Sequence, residues 1–145
     1  MNGQGQALVR ASDGERGSMA VEIVMLVPLL VMMMFLVVAF GRYVSAEGEA
    51  QALARDAVRA ATLERDVDAA LVAARSMAAA AAPASLACDP AELSGAFVQG
   101  GVVTVDVQCT VSFEDLGLVG LPGSATVTGS STSPLDQYRR VGGGP

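Results

Sequence analysis

An uncharged apolar run from Ile23 to Phe40 limits this chain more than any other feature. It holds Leu, Val, Met and Phe on every side, so no polar face is available to lie on a water-facing surface. Ala20 to Gly41 supplies about 22 residues, which at about 1.5 Å each span a bilayer core near 30 Å. The run predicts a transmembrane helix, and whatever else folds must do so on either side of it. Pro28 lies inside the run. It removes the hydrogen bond to the Val24 carbonyl, and a kink is expected there, tolerable within the first turns of a membrane helix.

The residues in front of the run are unusual. Gly17-Ser18-Met19-Ala20-Val21-Glu22 abuts it directly. A carboxylate is a costly choice at the entrance to a spanning helix. Glu22 either marks the membrane boundary, snorkelling to the headgroups, or has a partner. If the chain is cut after Gly17, a new α-amino group forms at Ser18. In an assembled bundle the carboxylate of Glu22 then has a cation to pair with on a neighbouring subunit, offsetting two desolvation costs. Gly17, lacking a side chain, lets a protease approach the backbone closely.

Two cysteines, Cys88 and Cys109, lie beyond the run, and the chain has no histidine. Structural zinc takes four ligands, so no metal site is expected. The pair is either two buried free thiols or a disulfide, and the disulfide is the preferred reading. It would close a loop of about 20 residues, worth roughly 3 kcal/mol, and would need an oxidising compartment. Flanking charge alone orients the span weakly, with Arg10 and Arg16 before it and Arg42 and Arg55 after it. The expected disulfide places the N-terminus in the cytoplasm and the C-terminal region outside.

A net charge of −6 without a basic cluster weighs against a nucleic-acid partner. There is no lysine for a phosphate-binding loop and no histidine for general-base work. Glu114-Asp115 reads as a solvated turn, and neither Ser112 nor Ser124 sits in a nucleophile elbow. No catalytic residue, cofactor or small-molecule substrate is expected.

From Val44 to Ala82 the chain is Ala-rich and free of proline. Leu53, Ala57, Ala60, Leu63, Val67, Leu71, Ala74 and Met77 recur three or four residues apart, one face of a helix over 43–82. Gly41 and Gly48 leave open whether the membrane helix bends, breaks or runs on; if continuous, one rod of about 90 Å would end at Pro83. Beyond it the texture is Gly, Ser, Thr and Val. Phe97-Val98, a Gln99-Gly100-Gly101 turn and Val102 to Phe113 read as a hairpin. Val103, Val105, Val107, Cys109 and Val111 should share its buried face. Glu114 to Gly123 reads as a loop, Ser124 to Ser131 as a third strand, and 139–145 as a flexible tail. Small side chains and scarce aromatics predict a thin core.

Gly17-Ser-Met-Ala-Val-Glu22-Ile-Val-Met-Leu-Val-Pro28-Leu-Leu, continuing to Ala39-Phe40-Gly41-Arg42, resembles the TadE-like family of minor pseudopilins over roughly Arg16 to Ala60. Members show Gly-x-x-Ala-Val-Glu, an apolar stretch broken by Leu/Val-Pro and a closing Phe-Gly-Arg. Ile23 stands where many have an aromatic residue. Taken with the patterns above, the expected fold is α+β and pilin-like: cytoplasmic leader 1–17, transmembrane helix 18–42, extracytoplasmic amphipathic helix 43–82 and a small antiparallel β domain 83–138. The resemblance implies cutting between Gly17 and Ser18 by a prepilin peptidase, and assembly through Glu22 with other pilins and a tight-adherence (Flp-type) pilus platform. Two rival fates remain: an uncleaved single-pass anchor for a binding module, and a small secreted domain released by signal peptidase after Ala46, where Val44-Ser45-Ala46 fits a small-x-small site.

Overall fold

The computed structural model describes residues 13–113 and 123–138. The chain divides into two compact units, Met1–Phe40 and Gly41–Pro145. The fold is α+β, with a long N-terminal apolar helix, a second helix and a small antiparallel sheet. The leader up to residue 12, the expected loop over 114–122 and the tail from 139 lie outside the described residues.

The first unit is helical from Asp13, the start of α1 (Asp13–Leu63). Every large aliphatic, Met and Phe side chain from Val21 to Phe40 is at least two-fifths exposed except Phe35, which is half-buried. This is the one helix among the described residues long and apolar enough to cross a membrane, with a mean hydropathy of 3.0 over its best window and none of that window buried. Pro28 sits inside the helix without ending it. Lacking an N–H, it leaves only one carbonyl of the ladder without its usual donor.

The second unit begins within the same helix. Helical structure continues through Gly41 and Gly48, because two glycines cost only about 1 kcal/mol each against a run of strong helix formers. The single amphipathic helix expected to reach Ala82 does not form. α1 ends at Leu63, and α2 (Val67–Ala81) starts afresh. Asp66 causes the restart: in an extended conformation its carboxylate accepts from the Ala69 N–H at 3.4 Å, capping the new helix. At the far end the Ala82 N–H donates to the Ala78 carbonyl at 3.0 Å, and Pro83 follows.

Four strands follow: β1 (Leu86–Cys88), β2 (Glu92–Gly95), β3 (Val102–Ser112) and β4 (Ser124–Pro134). β3 is central. β4 pairs antiparallel along its whole length on one side; β2 and β1 share the other side, β2 against Val103–Asp106 and β1 against Cys109–Val111. Val103, Val105, Val107, Cys109 and Val111 are all buried, as their alternation predicts. The hairpin partner is not Phe97-Val98, however. β2 lies earlier, and Ala96–Gly101 forms a wide loop closed by Ala96 N–H to Val102 O at 3.1 Å and Gly101 N–H to Val98 O at 2.8 Å. Gly95 (φ 101°) and Gly100 (φ 68°) supply the left-handed residues such a loop requires.

The core lies between the buried sheet face and the two helices. α1 contributes Ala46, Ala50, Leu53, Ala54, Ala57, Val58 and Ala61, and α2 contributes Ala70, Ala74 and Ala78. The expected helix face is therefore only partly right: Leu53, Ala57 and Ala74 are buried, whereas Leu63, Val67 and Met77 are exposed. Two causes act together. The break at Asp66 resets the helical phase, and the sheet approaches too closely for large side chains. Gly129 of β4 is buried, and a Cβ there would run into the carbonyl of Ala50 in α1.

Candidate processing and assembly site

Gly17, Ser18 and Glu22 are carried on α1, which places Gly17 and Ser18 about one turn before Glu22. Glu22 is exposed, flanked by Val21 and Ile23, which are 63% and 59% exposed. Pro28, also exposed, follows between one and two turns later. Among the described residues no hydrogen bond or ion pair holds the Glu22 carboxylate.

Cys88 and Cys109 are joined as a disulfide, with a Cα–Cα distance of 3.9 Å across directly paired positions of β1 and β3. Cys109 is fully buried on the core face of β3. Without the bond, the three-residue β1 would be held to β3 by few hydrogen bonds; the bond ties it covalently to the central strand.

A cleft of about 390 Å³ lies where β1 gives way to β2, lined by Arg75, Asp89, Pro90, Glu92, Asp106, Gln108 and Thr128. Sequence patterning offered no sign of it, because its residues come from α2 and three strands. Glu92 and Asp106 are directly paired across β2 and β3, an arrangement that like charges disfavour. Arg75 reaches the same cleft from α2, and its Nε donates to the Ala91 carbonyl at 3.2 Å. The Asp89 N–H donates to the Gln108 carbonyl at 2.8 Å. Together these bonds hold the irregular stretch around Pro90 against the sheet. Among the described residues no group of three His, Cys, Asp or Glu side chains is arranged to hold a metal ion.

Comparison with known proteins adds one finding. The family model described as TadE-like protein matches residues 17–59. No curated protein and no solved structure matches the chain. The matched segment begins at Gly17, takes in Glu22 and the whole apolar run, and ends within the part of α1 that packs on the sheet. The similarity to the TadE-like family thus rests on residues 17–59.

Proposed function

We propose that the chain is a minor pseudopilin of a tight-adherence (Flp-type) pilus or secretion apparatus. A prepilin peptidase removes residues 1–17 at the cytoplasmic membrane face, and Ser18 becomes the mature N-terminus. The apolar half of α1 anchors the precursor in the membrane and later packs among the helices of other pilins and pseudopilins. The Gly41–Pro145 unit is displayed on the extracytoplasmic side. The role is structural and not enzymatic.

The observation that carries this reading is the join of Gly17–Glu22 to an apolar helix with none of its membrane window buried, within the segment that is TadE-like. Such a helix needs lipid or other helices around it. Glu22 then has a defined task. Placed in a low-dielectric bundle, it is tolerable only when paired, and the Ser18 ammonium of an adjacent subunit supplies the partner and sets the axial register. The alternative of release after Ala46 is disfavoured physically. Ala46 is 3% exposed and belongs to the core of the second unit, so cutting there removes a packed residue from the folded product.

The test is the N-terminus of the protein purified from its native membrane. Intact mass and N-terminal sequencing should give a chain beginning at Ser18. A start at Met1 in cells with active prepilin peptidase identifies an uncleaved anchor, and a start at Glu47 identifies a secreted domain; either sinks the proposal. Glu22→Ala should insert into the membrane normally and enter filaments at least tenfold less often. Normal incorporation would show that Glu22 has no pairing role.

A further inference from the structure

The two edges of the sheet differ in a way that the role proposed above does not explain. One edge is made of β1 and β2, three and four residues long, interrupted by the stretch around Pro90 and marked by the charge of Glu92. Short strands, a proline and a charge are the means by which proteins blunt an edge against pairing. The other edge is β4, eleven residues in one uninterrupted strand. It carries no charged residue, and its only proline is the last residue, Pro134. Among the described residues, β4 pairs with β3 and with nothing on its other side.

The α1 helix decides what can add to that edge. Gly129, at the middle of β4, lies directly against the backbone of Ala50, so α1 passes over the core-side face of the edge strand at that point. Helices on a sheet stand about 8–10 Å apart, whereas adjacent strands are about 4.8 Å apart. A new strand beside β4 therefore has no room for a helix of its own on that face. An antiparallel β4–β4 pair centred on Gly129 would bring two α1 helices to one face, one strand spacing apart at their crossings, and they would collide. Charge narrows the occupant further: the chain carries −6, and the cleft on the same sheet sets three carboxylates, Asp89, Glu92 and Asp106, against the one cation Arg75. An acidic segment would be repelled.

We propose that the free edge of β4 receives an extended, neutral-to-basic segment of a partner protein, which adds one bare strand to the sheet by main-chain hydrogen bonding. Alternate N–H and C=O groups of β4 supply the affinity. The exposed Thr126, Thr128, Ser130 and Thr132 meet the partner's alternate side chains.

The experiment follows amide hydrogen exchange of the full chain in detergent micelles with three short synthetic peptides. The first alternates threonine and valine with a lysine at each end; the second ends in glutamate; the third has a central proline. The alternate β4 amides that point away from β3 should exchange fast in the chain alone. The lysine-ended peptide should slow them at least tenfold, the glutamate-ended peptide less, and the proline peptide not at all. Ser130→Lys should weaken the effect of the lysine-ended peptide while the amides bonded to β3 stay protected. No slowing at millimolar peptide overturns the proposal, as does equal slowing by all three. Outward β4 amides already protected in the chain alone overturn it too: independence of protein concentration means the edge is covered by the chain itself, and dependence on it means a second copy is the occupant.

Discussion

Gly129 shows how a single residue can fix the distance between layers. It sits on a strand whose neighbours are Ser and Thr, where a glycine would ordinarily weaken pairing. Here the backbone of α1 occupies the place a side chain would take. Gly129→Ala should therefore cost about 1–3 kcal/mol through overpacking, with the β4–α1 contact forced apart. Chemical denaturation of the second unit measures it. The same substitution at Gly48, where a Cβ meets nothing within 4 Å, should instead stabilise, by up to about 1 kcal/mol. Glycine content is readable in the sequence, but which glycine is indispensable is not, because the Ala50 backbone that excludes a side chain at position 129 is remote in the chain.

Among the elements, the membrane helix and β3 were the most legible. Both depend on patterns that one element carries by itself: an unbroken apolar run in one, strict alternation over Val103–Val111 in the other. The helix break at Asp66 was legible in principle, since an aspartate in front of a helical stretch is a capping signal. The continuing Ala-rich periodicity masked it. Asp66→Ala should remove the Ala69 N–H bond and cost about 1 kcal/mol, seen as a lower midpoint of thermal unfolding followed by circular dichroism. β1 and β2 were not legible, being too short for any period to declare itself. They exist because β3 offers an edge and because Arg75 and the disulfide hold the chain beside it.

At the scale of the whole molecule, the core of the second unit is assembled from side chains that each bury little area, chiefly Ala and Val. A core of this kind leans on a covalent closure. The Gly41–Pro145 segment should fold by itself and unfold cooperatively, and reduction of Cys88–Cys109 should lower its stability by about 3 kcal/mol in urea titrations. The sequence by itself determined the apolar helix, the Gly17–Glu22 motif in front of it, the TadE-like resemblance and the inward face of β3. Each is local, written in neighbouring residues or in a fixed period. Only the tertiary structure decided which helix residues meet the sheet, where the hairpin's first strand lies, that Cys88 faces Cys109, and that one edge is made of two short strands while β4, among the described residues, pairs with β3 alone. Those outcomes depend on contacts between residues distant in the chain, where close approach selects alanine and glycine over the larger side chains that periodicity alone would choose.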